Sequence, residues 1–519
     1  MSDGIVKNLN FGDEGKNKVF EGVSKLTRAV SSTLGASGKC VMLEDGSGKP
    51  LITKDGVTVA NSIILLDPVE NMGATLLKEA ARQTVKEAGD GTTTATVLAH
   101  SILKEAFNTK DYNSREIRDG INSAVEKVIT YLENKAKSVE GSMLNHVATI
   151  SSNNDKYLGN VIASTFEKVG DNGVVSMEIS NDEKTTAEIV DGATLNKGLK
   201  SMHFVNNKEK GTCELNNPLV LIVEDKIPNV RKIQSILEHI IKKKKELLII
   251  GDADDQVITA LAMNAMKGNI KANIVDAPDY GINRKQILED FAALTGAKVI
   301  NEELGDDMDL IESDYLGTCL KVTTDNEETI LQTEGVNDDV DNLIKKINSQ
   351  LKETSAPFKK VQLEKRLSRL AGKVGVIKVG ANSEVELKEK SDRVEDAICA
   401  TKAAIKEGIL PGGGIALLNA SNKIKPKGLG EEILLRALKA PFDIIMENAG
   451  MQDFEAPTVE GKGYNVVTGK MVNMISAGIV DPLLVTKSAL KNAASVANTI
   501  LATDCVINNL RVGDESNRK

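Results

Sequence analysis

The sequence predicts a multidomain α+β chain in which a mostly helical domain is interrupted by an α/β domain inserted in its middle. Three observations predict it. The chain has 519 residues, several times the usual domain size, so more than one core is required. Its apolar spacing is helical toward both ends and changes to short apolar strands alternating with helices between about Gly173 and Gly380. Its composition, 41% hydrophobic and 27% charged, is that of ordinary globular proteins and excludes a disordered or fibrous chain.

Taken in order, residues 39–43 and 57–60 read as short strands. Met72, Leu76, Leu77 and Ala80 then recur along one helix face, and Val97, Leu98, Ile102 and Leu103 along another, with Gly89-Asp90-Gly91 breaking the chain between them. In the middle, 219–223, 247–250, 273–275 and 374–379 are predicted strands, and 229–243, 256–267 and 284–294 are predicted helices. Long amphipathic patterns return at 383–407, 429–448 and 484–502. The first and last thirds are therefore expected to build one domain, with paired hinges where the chain enters and leaves the insertion: Gly192 with the segment near Gly372, and Gly141 with Gly408. The last residues, 513–519, are polar and expected to fray.

Several function classes are excluded by composition. A formal charge of −9, a pI near 5.4 and 3% aromatic residues supply neither the basic footprint nor the stacking side chains that nucleic acid requires, so no nucleic-acid partner is expected. The lysine run 242–245 reads as a solvated helix face. No apolar run approaches the ~18 residues of a membrane span, and the first residues lack a basic segment followed by an apolar one; a cytoplasmic protein with no membrane partner is expected. Five scattered cysteines fit neither a disulfide framework nor a zinc ribbon, and His100, His146, His203 and His239 are too dispersed for a zinc motif.

The chemistry concentrates in Gly89-Asp90-Gly91-Thr92-Thr93-Thr94, which opens a helix. The N–H groups at a helix start are unpaired and carry the positive end of the dipole, so they can cradle a phosphate. The threonine hydroxyls add donors, and Asp90 is suited to hold Mg²⁺ bridging phosphate oxygens. Helix capping alone needs one hydroxyl, not three. Two further glycine-rich turns, Thr33-Leu34-Gly35-Ala36-Ser37-Gly38 and Pro411-Gly412-Gly413-Gly414, are candidates to converge on the same nucleotide. Gly46-Ser47-Gly48-Lys49-Pro50 is not a P-loop, because it lacks the first glycine and has Pro50 where Mg²⁺ needs a hydroxyl.

These motifs run in register with Thr53-Lys54-Asp55-Gly56-Val57, Glu70-Asn71-Met72-Gly73-Ala74, residues 88–99, Ile377-Lys378-Val379-Gly380-Ala381, Arg393-Val394-Glu395-Asp396-Ala397 and Asp481-Pro482. From near Phe11 to about Asp504 the sequence resembles the group I chaperonins, the bacterial Hsp60 family that includes GroEL. The resemblance implies a GroEL-like architecture: a mostly helical equatorial domain (1–136 and 407–519), a small α+β intermediate domain (137–190 and 375–406) and an α/β apical domain (191–374) for client and co-chaperonin. It implies ATP-dependent folding of captured non-native proteins in a chamber built as a homo-oligomer of heptameric rings. ATP, Mg²⁺ and K⁺ are the implied cofactors, and an Hsp10/GroES-like co-chaperonin the implied partner.

By motif match, the resemblance makes Asp90 the Mg²⁺ carboxylate and Gly91, Thr92, Thr93 and Thr94 the phosphate cradle, with Thr33, Leu34, Gly35, Ala36 and Lys54 completing the phosphate side. Gly413, Asn465, Val466, Val467 and Asp481 would take the nucleoside. Asp396 matches the family's catalytic aspartate, which orients the attacking water, and Asp55 assists the phosphate and metal geometry. Without the resemblance, Asp396 reads as a surface acid one turn from Arg393. The aligned client-binding positions are Leu199, His203, Phe204, Gln234, Leu237, Ile258, Ala262 and Met263, an apolar groove in reduced form; the alternative is that such side chains pack the apical core.

The sequence departs from the family at Ala36 and Ser37, where proline and lysine are usual, at Val466 and Val467 in place of two alanines, at the hinge positions Glu140 and Lys373, in the shortened 450–463 segment, and in lacking Gly-Gly-Met repeats at its end. The altered 450–463 segment leaves the number of rings open, and the pattern suits a divergent bacterial or phage-encoded member. Two other function classes stand beside this one. A passive client-holding ring with little ATP turnover is opposed by the retained Asp55, Asp90 and Asp396. A small-molecule kinase is opposed by the lack of a histidine or basic cluster for a polar acceptor.

Overall fold

The computed structural model describes residues 6–44, 48–109, 113–139, 141–170, 173–180, 182–208, 210–333, 338–354, 357–451 and 454–509. Glu140, the 513–519 tail, and parts of the 46–50 and 450–463 segments lie outside the described residues.

The first stretch of chain forms β1 (Lys7–Phe11), α1 (Gly12–Ser31), β2 (Val41–Glu44), β3 (Pro50–Thr53), α2 (Gly56–Ser62), α3 (Pro68–Ala88), α4 (Thr92–Phe107), α5 (Ser114–Lys135), α6 (Met143–Ser151) and α7 (Lys156–Val169). The middle forms β4 (Val174–Ile179), β5 (Thr186–Leu195), β6 (Cys213–Asn216), β7 (Leu219–Val223), α8 (Gln234–Lys243), β8 (Leu247–Ile250), α9 (Asp255–Met266), β9 (Ala272–Val275), α10 (Gly281–Thr295), β10 (Val299–Ile300), β11 (Gly317–Thr318), β12 (Lys321–Thr324), β13 (Thr329–Gln332), α11 (Asp338–Glu353), α12 (Pro357–Leu370) and β14 (Lys373–Val379). The last stretch forms α13 (Glu384–Glu407), β15 (Ile409–Pro411), α14 (Ile415–Lys423), α15 (Leu429–Ala437), α16 (Ala440–Asn448), β16 (Lys462–Asn465), β17 (Lys470–Asn473), β18 (Val480–Pro482), α17 (Leu483–Ala502) and β19 (Cys505–Asn509).

Two expectations are corrected. Residues 57–60 are helical, not extended: the Asp55 carboxylate accepts from Val57 N at 3.0 Å and Thr58 N at 2.8 Å. This cap starts α2 and overrides the strand preference of the β-branched residues behind it. The 429–448 pattern is two helices, because Pro441 has no N–H to donate within a continuous helix and sits instead in the first turn of α16.

The chain divides into two compact units, one of Met1–Ser164, Ile179–Thr186 and Val379–Lys519, the other of Thr165–Glu178 and Ala187–Lys378. The first unit is the helical one. Its core gathers Leu26 of α1, Leu77 of α3, Leu98 and Ile102 of α4, Ile121 and Leu132 of α5, Leu434 of α15 and Leu490 of α17, all without solvent exposure.

Within this unit His100 stacks on Phe20 with ring centroids 5.3 Å apart, and its Nε2 lies 3.2 Å from Ser24 Oγ. Burial, with a smaller contribution from Lys104, pushes the His100 pKa down to about 4. The unfolded chain, with its histidine near pH 6.5, then binds more protons than the folded one at pH values below that. The stabilising contribution of neutral His100 is complete above pH 6.5 and is lost as the pH falls toward 4, by about 3 kcal/mol in total. His100→Phe is expected to remove this part of the acid sensitivity. Urea midpoints of the two proteins at pH 7 and pH 4.5 check it: an equal midpoint loss in both excludes His100 as the cause.

The second unit has two sheets. In the first, β7, β8, β9 and β10 run parallel in the order β10-β7-β8-β9, and β11 pairs antiparallel with β7. All of β8 and nearly all of β7 is buried, as near-continuous apolar runs in a sheet covered on both faces should be. Successive right-handed crossovers in one direction put α8 and α9 on the same face, and the return from β9 to β10 puts α10 on the other. The second sheet has the order β4-β14-β5-β13-β12-β6. The fully buried Asp290 of α10 accepts from Arg366 Nη2 at 2.7 Å and Arg369 Nη1 at 2.6 Å, which ties α10 to α12. Among the described residues no helix is long and apolar enough to cross a membrane.

Candidate functional site

The helical unit builds its site from chain breaks. Gly89 (φ 72°) and Gly91 (φ 95°) both adopt the left-handed conformation that ends α3 and starts α4. A Cβ at Gly91 would lie 2.7 Å from Val485 Cγ1, and one at Gly89 would lie 2.4 Å from Cys399 Cβ, so backbone conformation and packing both require glycine here. Between them Asp90 accepts from Gly91 N. No side chain caps α4, so the N–H groups of its first turn are left for another acceptor. The start of α2 meets the start of α4: a Cβ at Gly56 would lie 2.4 Å from Thr93 Oγ1 and 3.0 Å from Thr92 Oγ1. The start of α2, whose Val57 and Thr58 N–H groups are taken by Asp55, therefore abuts the uncapped N-terminus of α4.

The other glycine turns arrive by tertiary contacts. Asn448 of α16 donates to the carbonyls of Ser31 and Leu34, each at 2.9 Å, and so pins the turn carrying Thr33, Leu34, Gly35 and Ala36. Strand β15 pairs with β18 in the register Leu410↔Asp481, which sets the Asp481 side chain beside Gly412 and Gly413. Asn465 ends β16, and its Oδ1 accepts from Val467 N at 3.0 Å and Thr468 N at 3.3 Å. Val466 packs with Phe442, Met446 and Met474, whereas Val467 is largely exposed.

The carboxylates repel one another. Burial, reinforced by Asp90 and then Asp55, pushes the Asp396 pKa well above the ordinary carboxylate range. Burial and Asp55 raise that of Asp90, against the Gly91 N–H. Burial and Asp90 raise that of Asp481 to about 7, against the Gly413 N–H. Lys54, expected on the phosphate side, is shifted down by burial.

These elements enclose a cavity of about 830 Å³, within the usual size range of ligand sites. Its lining brings together Thr33, Leu34, Gly35, Ala36, Lys54, Asp55, Asp90, Gly91, Thr92, Thr93, Thr94, Asp396, Gly413, Asn465, Val466, Val467 and Asp481. It also includes residues the sequence reading missed: Ser151 at the end of α6, Asn153 and Asn154 of the α6–α7 loop, Glu389 and Arg393 of α13, and the apolar Phe442, Ile445, Met446 and Met474. The run Ser-Ser-Asn-Asn-Asp at 151–155, five turn formers between two apolar helices, is the signal that marks this loop. Chemically, the cavity offers donors and positive dipoles at one end, apolar surface at the other, and carboxylates between. Among the described residues no three ligating side chains cluster as a metal cage. The donor set fits an ion held by one or two carboxylates, with phosphate oxygens and water completing its shell, which is how Mg²⁺ is commonly bound.

In the α/β unit the expected client residues divide. Phe204 and Ala262 are 3% and 2% exposed and belong to the core, so they present no surface to a client; the groove drawn from the sequence is corrected at both. Leu199, Leu237 and Ile258 are half-buried against that core. His203, Gln234 and Met263 are exposed. Exposed apolar side chains that were not singled out lie near these in sequence: Met202, Ile241 and Met266.

A helical unit interrupted by an α/β unit, with glycine turns gathered on one cavity of the helical part, is the architecture of a chaperonin. The chain belongs to the TCP-1/cpn60 chaperonin family, whose model matches residues 26–511. Its fold is similar to that of the chaperonin gp146 from the bacteriophage EL 2 (Pseudomonas aeruginosa), crystallised in the presence of ATP-BeFx. Crystal form II matches with a TM-score of 0.72 and 23% identity over 98% of this chain and 100% of that one. Crystal form I matches with a TM-score of 0.64 and 23% identity over 97% and 99%.

Proposed function

We propose that this chaperonin binds ATP with Mg²⁺ in the helical unit, hydrolyses it, and uses the cycle to assist the folding of captured non-native proteins inside a ring of identical subunits. The observation that carries this reading is the convergence of the uncapped α4 N-terminus, two further glycine turns and Asp396 on one cavity. Gly91 to Thr94, the 33–36 turn and Lys54 take the phosphates, while Gly413, Asn465, Val466, Val467 and Asp481 take the nucleoside. Asp90 holds Mg²⁺, with Asp55 assisting, and K⁺ is a second candidate cation. Held there, Mg²⁺ would supply positive charge against the charge that develops on the phosphates. Asp396 orients the attacking water and takes up its proton. That the phage chaperonin of similar fold was crystallised with ATP-BeFx supports nucleotide binding here.

The equatorial, intermediate and apical division expected from the sequence (1–136 with 407–519, 137–190 with 375–406, and 191–374) remains part of this proposal, as do a cytoplasmic location and an Hsp10/GroES-like partner. Assembly with further subunits is supported by two open ribbons of the helical unit. The β1–β19 pair leaves Leu9, Phe11 and Ile507 exposed, and the β2–β3 pair leaves Met42 and Ile52 exposed. Isolated two-stranded ribbons are marginally stable, and their free edges accept another chain, as a heterologous ring contact requires.

Native mass spectrometry of the purified chain, together with ATP turnover measured with and without unfolded protein, tests the reading. The expected result is a particle of about seven or about fourteen subunits, the family's ring size being the guide, with Mg²⁺-dependent ATP turnover. A monomer overturns the chamber. A ring that binds ATP without turning it over leaves only passive client holding.

A further inference from the structure

Lys54 lies between the end of β3 and Asp55, the capping residue of α2, and its half-buried ammonium faces the cavity of the helical unit. Its hydrogen-bond partner is neutral: Lys54 Nζ donates to Asn153 Oδ1 at 3.1 Å. Among the described residues no carboxylate lies within ion-pair distance of Lys54, although Glu389 lines the same cavity. Glu389 is taken by Arg393, whose Nη2 donates to it at 2.7 Å, and Arg393 Nη1 also lies 3.6 Å from Asp155.

Asn153 is held rigidly. It has φ 59° and its neighbour Asn154 has φ 63°, left-handed values that asparagine tolerates better than other side chains except glycine. Asn153 N donates to Ile150 O at 3.0 Å and Asn154 N to Thr149 O at 2.8 Å, which fastens the loop to the end of α6. Asp155 fastens its other side by accepting from Tyr157 N and Leu158 N at the start of α7. A lysine stem has four rotatable carbons and needs such a fixed partner to aim its charge.

We propose that Asn153 is a positioning residue for the phosphate end of the cavity: its side-chain oxygen holds the Lys54 ammonium in place without neutralising it, so the charge stays available to an anionic ligand. The inference rests on the nucleotide reading above. A neutral acceptor fits this task and a charged one does not, because a carboxylate at 153 would pair with Lys54 and compete with phosphate.

The test is isothermal titration of ATP, in Mg²⁺, into the full chain and its variants, with thermal unfolding to confirm that each is folded. Asn153→Gly keeps the left-handed backbone and removes the oxygen; Asn153→Asp keeps backbone and acceptor and adds charge. The expected order of affinity is wild type, then Asn153→Gly about tenfold weaker, then Asn153→Asp about thirtyfold weaker or more. In a Lys54→Met background the same two changes should alter affinity less than about twofold. A backbone role alone predicts that both variants bind as wild type does, and that result overturns the inference, as does an undiminished loss in the Lys54→Met background. A wild-type chain that binds no ATP overturns the nucleotide reading itself, and is seen before any variant is compared.

Discussion

Asp396→Ala is expected to bind ATP within about threefold of the wild-type affinity and to hydrolyse it about 10²- to 10⁴-fold more slowly. Asp396 lies on α13, whereas the backbone donors of the phosphate end belong to the glycine turns and the start of α4. Removing its carboxylate therefore leaves the binding donors in place and takes away the group that orients water and accepts its proton. Burial beside Asp90 and Asp55 raises its proton affinity, the direction that favours a proton acceptor. Removing Asp396 also relieves part of the repulsion among the cavity acids, which works against any large loss of nucleotide. Single-turnover hydrolysis and an equilibrium titration separate the two effects. Turnover at the wild-type rate would show that another group positions the water.

The second large effect is expected in client capture. Met263 and Met266 are one turn apart on α9 and are 39% and 56% exposed, so they present a flexible apolar face to solvent. Each methionine covered by a client contributes roughly 1.5–3 kcal/mol, and several subunits holding one chain multiply that gain. The double variant Met263→Glu, Met266→Glu is expected to weaken suppression of aggregation by more than about tenfold while leaving ATP turnover unchanged, because it sets two charges where apolar segments must bind. Phe204→Glu is not an equivalent probe, since a charge at a side chain that is 3% exposed breaks the α/β core itself. Light scattering of an unfolded substrate, with thermal unfolding to confirm the variant's integrity, decides. Full protection by the double variant would move the client site off α9.

The features most legible in the sequence were those whose cause is local. Gly89 and Gly91 announce a left-handed break before an apolar helix, and the apolar runs of β7 and β8 announce buried parallel strands. The same locality misled at 57–60, where a β-branched run looked extended and the Asp55 cap one turn earlier made it helical. The α6–α7 loop was passed over because a run of serine and asparagine says turn without saying what the turn faces.

By itself the sequence determined that a helical chain carries an inserted α/β unit, that three glycine-rich turns and a set of aspartates stand ready for phosphate, and which family these motifs resemble. Only the tertiary structure decided that the turns meet. Leu410 and Asp481 become partners through strand pairing, and Asn448 reaches the 31–34 carbonyls from far along the chain. It also decided which apolar residues of the α/β unit face water. Phe204, Ala262 and Met263 carry similar apolar chemistry, but the packing of each element on the sheet buries the first two and exposes the third. The physical reason is that periodicity records which residues share a face, whereas burial is set by whatever that face meets.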